Sequence, residues 1–472
     1  MLTPSLKVLL CITGLIFFSG CQSLQKKSAS IPSVKMRGNW ENPAKSFFKK
    51  EPIPLNGINL FHSSQWEEIV THALAKNPDL QKQAYLVKET KQRFFNQQAY
   101  QFPSITGKIS SQYQDDEVQN PYVNSQQYHL GLQADWEIDY LRKNQNQSKE
   151  YFFAYKASQY DYQNFRLTLI AQIARSWITA IEAKKQIESA EKNIQNYREH
   201  EKNIQESFRA GTKTALDLQL IKVDRALSES QIEVEKSRFK ESLRSLNLLL
   251  GEYPDTQFQS LPKDLLALIE AIPVGIPSGI LKRRPDIIAE EYRIQSHFFS
   301  TEVARKNRFP KISLIASTGT QSTELKDLLN KSHSFWNLAT NLLQPIFEGG
   351  KLKAHWEAKK YGLEAQLANY QATILQALKE VENALGKERN LRQQLEKIDE
   401  ADVQSRKAER NAWDNYQKGL IKIDTALRTQ RTAISTQTQK YSLQGRILQN
   451  RVELFLALGG DWINPSENPQ TQ

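Results

Sequence analysis

Two long segments without proline constrain the fold of this chain more than any other feature. The first spans Leu141–Leu250, and the second spans Gly349–Leu458, 208 positions later. A helix of about 70 residues would be roughly 100 Å long, whereas an ordinary globular helix has roughly 11 residues. A glycine interrupts each segment, at Gly211 and at Gly419. Each segment is therefore predicted to form a hairpin of two long helices.

The first of these segments carries a seven-residue apolar repeat, which makes a narrow stripe suited to coiled-coil contact. The stripe comprises Ala180, Ala183, Ile187, Ala190, Ile194, Tyr197, Ile204 and Phe208, with one break at Glu201. In the second segment the stripe is weaker: Leu391, Leu395 and Ile398 keep it, and Asp402 begins its interruption. A solvated coiled-coil rod with no passage inside would show the same period, so periodicity leaves that alternative open.

Two pairs of strand candidates precede the helical hairpins. They span residues 104–113, 127–138, 311–320 and 335–347. The second candidate alternates apolar and polar positions from Tyr128 to Ile138, which is typical of a strand with one face buried in an apolar environment. Phe102-Pro103 before the first candidate has its counterpart in Phe309-Pro310 before the third.

The chain is therefore predicted to be a tandem repeat of helix, strand, strand, long helix and long helix. The first repeat covers residues 61–251, with its hairpin at 141–250, and the second covers 281–463, with its hairpin at 349–458. The first helix of the first repeat is expected to start at a capping box of Ser64 and Glu67. A proline-containing connector, 252–280, joins the repeats, and a short polar tail, 464–472, ends the chain.

The N-terminus resembles a bacterial lipoprotein signal. Lys7 precedes an apolar run, Val8–Phe18, that is too short to span a bilayer, and Ser19-Gly20-Cys21 follows it. Residues 1–20 are predicted to be removed, leaving a lipid on Cys21 and an extended tether at 21–60. An ordinary secretory signal with an incidental cysteine is the alternative.

The four predicted strands of one chain are too few to form a membrane-spanning structure alone. The chain is 24% charged and has no later run of 18 apolar residues, so it is not predicted to contain a transmembrane helix. Four strands are too few to close a barrel, which takes about eight. If the strands lie in a membrane, several chains must combine their strands into one barrel, because an open sheet edge in lipid leaves backbone groups unpaired.

Several short motifs, in order along nearly the whole mature chain, resemble the TolC-like outer-membrane factor family, in particular its lipoprotein branch of OprM-like and NodT-like proteins. The matching pieces are Cys21, Asn77-Pro78-Asp79-Leu80, Trp136-Glu137-Ile138-Asp139, Ala210-Gly211-Thr212, Leu216-Asp217, Leu281-Lys282-Arg283-Arg284-Pro285-Asp286, Pro345-Ile346-Phe347-Glu348-Gly349-Gly350 and Tyr416-Gln417-Lys418-Gly419.

The resemblance implies an α+β membrane protein of the outer membrane of a Gram-negative bacterium. Three chains would form a homotrimer whose 12-stranded β-barrel continues into a periplasmic α-helical coiled-coil barrel. Such a protein is the passive exit duct of a tripartite efflux system for drugs or other toxic small molecules. Its expected partners are a periplasmic adaptor protein and an inner-membrane transporter of the RND type. No cofactor is expected apart from the lipid on Cys21.

The resemblance also assigns roles to the two helical turns. The segment after the second glycine lines the closed periplasmic aperture in the family, typically with a leucine and an aspartate. Here Asp424, Thr425 and Arg428 occupy that segment, so a simple anionic ring is not expected. Asp424 and Arg428 are spaced to form either a surface pair on one helix or pairs around a three-fold axis. The candidates for the adaptor contact are Arg209, Gly211, Leu216, Asp217, Lys418 and Gly419.

Other classes of function have little support. The seven histidines are scattered with no pair at metal-ligand spacing, and no phosphate-binding loop occurs, so an enzyme is not expected. The net charge of +11 comes from Lys and Arg interleaved with Asp and Glu, as on solvated helices, so it does not indicate nucleic-acid binding. Two alternatives stay open: a type I secretion channel for polypeptides, and a lipid-anchored periplasmic coiled-coil scaffold without a channel.

Overall fold

The computed structural model describes residue 61 and residues 63–116, 123–257, 261–262 and 283–460. In chain order, the helices and strands of these residues are α1 (Ser64–Lys76), α2 (Pro78–Ala99), β1 (Ser104–Asp116), β2 (Val123–Ile138), α3 (Lys143–Arg209), α4 (Ala215–Leu250), α5 (Pro285–Lys306), β3 (Lys311–Ser322), β4 (Ser334–Leu343), α6 (Lys351–Gln417) and α7 (Ile423–Ala457). The tandem order of helix, strand, strand and two long helices is thus confirmed.

The described residues divide into two compact units. One, the strand unit, contains Tyr100–Glu150 and Ile294–Leu367. The other, the helical unit, contains the remaining described residues and therefore most of the long helices. No described helix carries an apolar stretch long enough to cross a bilayer.

The strand unit holds one antiparallel sheet with the order β1-β2-β3-β4. Consecutive strands are neighbours, so β1 and β4 are the two edges of this sheet. Residues directly opposite each other in an antiparallel pair share a face, and successive residues alternate between faces. The register therefore assigns every strand residue to one of two faces.

One face of the sheet is apolar and the other is mostly polar. The apolar face includes Ile105, Ile109, Tyr113, Leu130, Leu132, Trp136, Ile138, Ile312, Leu314, Trp336, Leu338 and Leu342. The opposite face includes Lys108, Gln112, His129, Gln133, Asp135, Glu137, Ser313, Ser317, Gln321, Asn337 and Asn341. Many apolar-face side chains are exposed in the single chain; Trp336, for example, is 80% exposed. The alternation in the sequence had predicted these two faces.

The observed ends of several elements differ from the predicted ones. β4 ends at Leu343, whereas the prediction carried this strand to residue 347. Pro345 has no N–H for a ladder, and no described strand lies on the outer side of β4. The other strands are longer than predicted: β1 and β3 extend to Asp116 and Ser322, and β2 begins at Val123.

The helix ends also differ from the predicted ones. Helices α3 and α6 each begin two residues after the predicted starts of their hairpins, and α7 ends at Ala457 rather than at residue 458. At the first helix the predicted capping box is wrong. Ser63, rather than Ser64, is the N-cap residue of α1, and it makes no side-chain capping hydrogen bond.

The heptad stripe of α3 lies in the core of the helical unit. Ala180, Ala183, Ile194, Tyr197 and Ile204 are all buried. The stripe fails at its end near the turn, where Phe208 is 42% exposed. The burial of this narrow stripe is what the seven-residue period predicted, since such a period places its apolar residues on one side of the helix.

The weaker stripe of α6 is partly buried in spite of its charged interruption, with Leu395 and Ile398 half-buried. Leu391 is buried, and Asp402 is only 4% exposed. The Asp402 carboxylate pairs with Arg406, at 2.9 Å from Nε, and with Lys440, at 3.6 Å from Nζ. A buried carboxylate needs such partners to stay charged. The interruption seen in the sequence is therefore an ion-paired site within the hairpin of α6 and α7.

Candidate functional site at the turns of the helical hairpins

The first turn follows α3 and is built around Gly211. The Gly211 N–H donates to the carbonyl of Phe208, and the Thr212 N–H donates to the carbonyl of Ser207, both at 2.9 Å. Gly211 has a φ of 74°, which completes a Schellman motif. No atom lies within 4 Å of where a Cβ at Gly211 would stand, so its backbone conformation, not space, favours glycine.

Helix α4 starts directly after this turn with a reciprocal capping box. The Asp217 N–H donates to the Thr214 hydroxyl oxygen at 3.2 Å, and the Thr214 N–H donates to the Asp217 carboxylate at 3.0 Å. Leu216 is 60% exposed, and Arg209 at the end of α3 is also exposed. Of the predicted adaptor residues here, Gly211 and Asp217 thus shape the turn, whereas Arg209 and Leu216 present free surface.

The second turn follows α6 and repeats the same geometry around Gly419. The Gly419 N–H donates to the carbonyl of Tyr416 at 3.0 Å, the Leu420 N–H donates to that of Asn415 at 2.9 Å, and the φ of Gly419 is 75°. Lys418 is exposed. The N-cap residue of α7 is Lys422, which makes no side-chain capping hydrogen bond. The start of α7 thus lacks the box that secures α4.

The predicted aperture residues all lie at the start of α7. Asp424 and Arg428 are exposed, and Thr425 is half-buried with its N–H donating to the carbonyl of Lys422 at 3.2 Å. Asp424 lies in the first helical turn, where the positive end of the helix dipole favours a carboxylate. Within the described residues, no ion pair joins Asp424 to Arg428. The surface pair that their spacing allowed is therefore not formed in the single chain.

Two polar contacts that sequence reasoning missed join the two hairpins near their turns. Lys213 Nζ donates to the carbonyl of Tyr416 at 2.9 Å and lies 3.9 Å from the centre of its ring. Arg431 Nε donates to the Asp224 carboxylate at 3.0 Å, and Asp224 is buried. Burial, and then the negative charge of Asp217, raise the pKa of the Tyr416 hydroxyl. The partners are 203 and 207 residues apart, so no local pattern could have predicted them.

An apolar cluster lies beside these contacts. It contains Tyr197, Ile204, Ile221, Ala412, Trp413, Tyr416, Ile423, Ala426 and Leu427. His200 of α3 stacks on Trp413 of α6, with ring centres 3.6 Å apart and ring planes 5° apart. Trp413 Nε1–H donates to Gln430 Oε1 at 3.1 Å. Burial lowers the pKa of His200. The two turns are thus held together by buried packing as well as by the two polar contacts.

Two further features of the sequence are the candidate for lipidation and the residue types that bind metal ions. Cys21, the candidate for lipidation, lies outside the described residues. Within the part of the chain that the structure describes, no group of three or more His, Cys, Asp or Glu residues could hold a metal ion.

The family model described as outer membrane efflux protein matches the chain twice, over residues 69–252 and 276–460. This chain belongs to the outer membrane efflux protein family. The two matches correspond to its two repeats. The family assignment makes the protein an outer-membrane component of an efflux system.

Curated relatives of this family member match most of its length. The cation efflux system protein CusC of Escherichia coli O6:H1 (strain CFT073) is 26% identical over 403 residues, which are 85% of this chain and 87% of CusC. The probable outer membrane lipoprotein SilC of Salmonella typhimurium is 25% identical over 464 residues, which are 96% of this chain and 99% of SilC.

The fold of this family member is that of a solved outer-membrane channel. The structure of the outer-membrane channel OprN matches it with a TM-score of 0.88 and 22% sequence identity. The match covers 92% of this chain and 99% of OprN. The fold of this chain is therefore one that a solved channel protein also has.

Proposed function

We propose that three copies of this chain assemble into a passive exit duct. The observation that supports this most directly is the sheet, which has one apolar face, one polar face and two open edges. An apolar face that meets lipid and a polar face that meets water are typical of a transmembrane barrel. Three sheets of four strands would give the twelve-stranded barrel that the family resemblance implies, and closing it would leave no edge unpaired.

In this proposal the long hairpins form a tunnel, and the chain carries out no catalysis. Their turns are the end at which a periplasmic adaptor docks, with the exposed Arg209, Leu216 and Lys418 as contact residues. The pump that drives transport is an inner-membrane transporter of the RND type. A lipid on Cys21 anchors the N-terminus. The alignment with SilC, which is named a probable lipoprotein and is 25% identical over 96% of this chain, supports that assignment.

The cargo that we propose is small solutes as a class. CusC is named for cation efflux, but at 26% identity about three in four aligned positions differ, so its cargo is not transferred to this chain.

The aperture residues give this proposal its most specific form. Asp424 and Arg428 are exposed and unpaired with each other in the single chain. In a trimer they would form charge pairs around the three-fold axis and keep the aperture closed. A charge pair across a water-filled opening weakens with salt, since mobile ions screen it. The closed state should therefore open more often at high ionic strength.

Single-channel recording of the purified protein in a planar bilayer tests this function. The expected result is small, long-lived conductance steps, with larger or more frequent openings for Arg428→Glu. Arg410→Glu, at an exposed arginine outside the proposed aperture, is the matched control and should behave like the wild type. Silence of both Arg428→Glu and Asp424→Ala/Arg428→Ala, in a protein that is monomeric in mild detergent, would favour the scaffold alternative.

A further inference from the structure

The two edges of the sheet are apolar and open in the single chain. On β1, Ile105 is 73% and Ile109 is 78% exposed. At the other edge, Leu342 of β4 is 68% exposed, and Ile346 just beyond β4 is 90% exposed. Strands β2 and β3 lie between these edges, so the edges are about 14 Å apart at a spacing of about 4.8 Å per strand. The two edges therefore cannot pair with each other within one chain.

The internal repeat relates the two halves of the sheet residue by residue. Ser104 of β1 lies opposite Asp135 of β2. The residues 207 positions after the first and 208 positions after the second are Lys311 and Leu343, and these also lie opposite each other. The same relation holds along both strand pairs. A shift of 207 thus converts a β1 position into its β3 equivalent, and a shift of 208 converts a β2 position into its β4 equivalent.

The same two shifts convert the pairing of β2 with β3, here called the central seam, into a pairing of β4 with β1 of another chain. Within the chain, Ala134 lies opposite Ala316, and Ile138 lies opposite Ile312. The β4 equivalents of Ala134 and Ile138 are Leu342 and Ile346, and the β1 equivalents of Ala316 and Ile312 are Ile109 and Ile105. Each pair of the central seam therefore has one counterpart between β4 and β1.

We infer that β4 of one protomer pairs antiparallel with β1 of the next in this register. Leu342 then lies opposite Ile109 of the partner subunit, and Ile346 lies opposite Ile105 of the partner subunit. This inference rests on the proposed closure of three chains, and it adds the register of their contact. It also extends β4 to Ile346, the equivalent of Ile138 at the end of β2, without the one ladder hydrogen bond that Pro345 has no N–H to donate.

The chemistry of the two edges fits this register. Ile105, Ile109 and Leu342 lie on the apolar face, and Ile346 would join them if β4 continued with its alternation. Leu338 of β4 and its proposed partner Tyr113 lie on the same face and are 58% and 63% exposed. Three exposed apolar pairs would thus become cross-strand pairs, the unit that stabilises a sheet. A slip of one residue would place each of them opposite a residue of the polar face, since side chains alternate along a strand.

Disulfide crosslinking distinguishes this register from its neighbours. The predicted pairs are Leu342→Cys with Ile109→Cys, and Ile346→Cys with Ile105→Cys. The matched controls combine Leu342→Cys with Ser111→Cys or with Gly107→Cys, which are two residues away on the same strand and face. Opposed residues lie within disulfide reach, whereas diagonal neighbours are about 7–8 Å apart, so about tenfold more covalent trimer is expected from the predicted pairs.

The outcomes separate the register from the function. Mild oxidation should convert both predicted pairs to linked dimers and trimers on non-reducing gels, while each single cysteine variant stays monomeric there. Stronger linking in either control pair, or no linking of either predicted pair in a protein that is trimeric by native mass, overturns the register and leaves the duct in place. A protein that is monomeric by native mass and links in no pair overturns the duct itself.

Discussion

At the scale of single residues, Arg142 is the most unusual position in the described chain. It is the one non-glycine residue there with a positive φ, 56°. Its equivalent in the second repeat, 208 positions later, is Gly350, with a φ of 85°. A left-handed conformation costs a residue with a side chain roughly 1–2 kcal/mol. The turn between β2 and α3 is thus strained at a position where the second repeat has glycine.

Replacing Arg142 by glycine should therefore stabilise the protein. The backbone contact is kept, because Lys306 Nζ donates to the carbonyl of residue 142 and not to its side chain. Glycine also increases the conformational entropy of the unfolded chain, which offsets part of the strain relieved. A net stabilisation of about 0.5–1 kcal/mol is therefore expected. Thermal unfolding in detergent measures it. Arg142→Ala removes the same charge without relieving the strain, so equal melting temperatures of the two variants would contradict this explanation.

The assignment of a lipid to Cys21 is a second prediction at this scale. Metabolic labelling with radioactive palmitate should mark the wild type and leave Cys21→Ala unlabelled, because the modified cysteine is the acceptor of the lipid. Cys11→Ala is the matched control and should keep the label, since residue 11 lies in the segment predicted to be removed. Persistent labelling of Cys21→Ala would show that the N-terminus is processed in another way.

At the scale of elements, the sequence predicts those structural features that arise from residues close together in the chain. The seven-residue period predicts the buried stripe of α3, and the alternation of β2 predicts two faces, because both patterns follow from backbone geometry. Contacts such as Lys213 with Tyr416 join residues far apart in the chain and leave no local pattern. In the single chain β4 ends before the predicted residue 347, because Pro345 has no N–H for a ladder and the described residues supply no neighbour on the outer side of this strand.

The stacked pair of His200 and Trp413 should make the joint between the hairpins sensitive to acid. Burial lowers the pKa of His200, so the folded protein binds this proton less readily than the unfolded chain does. The contribution of neutral His200 to the free energy of unfolding is fully present above the ordinary histidine pKa of about 6.5. It decreases as the pH falls below that value.

The melting temperature measures this effect. Between about pH 7.5 and pH 5.5 it should fall further for the wild type than for His200→Phe, which keeps a stacking ring without a titrating group. Lys202→Ala, an exposed neighbour on α3, should fall as far as the wild type. An equal fall in the wild type and His200→Phe would rule out His200 as the acid-sensitive group.

The ion pair of Arg431 and Asp224 should help to keep the two turns together. Removing only the cation leaves a buried carboxylate without its partner, which is less favourable than removing both charges. Arg431→Gln should therefore raise the frequency of channel opening more than Asp224→Asn/Arg431→Gln does. Single-channel recording compares them. If Arg431→Gln opened no more often than the wild type, this contact would have no part in holding the turns.

At the scale of the whole molecule, the sheet explains why one chain is incomplete. It exposes a broad apolar face, with Trp336 at 80% and Leu342 at 68% exposure, and among the described residues neither edge strand has an outer neighbour. A soluble scaffold would gain nothing from such a surface, because exposed apolar patches and open edges promote aggregation. A membrane-spanning assembly of several chains uses both features, since the face meets lipid and the edges pair.

The number of chains in the detergent-solubilised protein tests directly whether several chains close one barrel. Native mass spectrometry, with the protein released from its micelle in the gas phase, counts them without reference to function. We expect one species of three chains, because three sheets of four strands give the twelve-stranded barrel proposed here. A protein that consists of single chains under the same conditions, while keeping its helical circular-dichroism spectrum, would contradict the closed barrel and with it the duct.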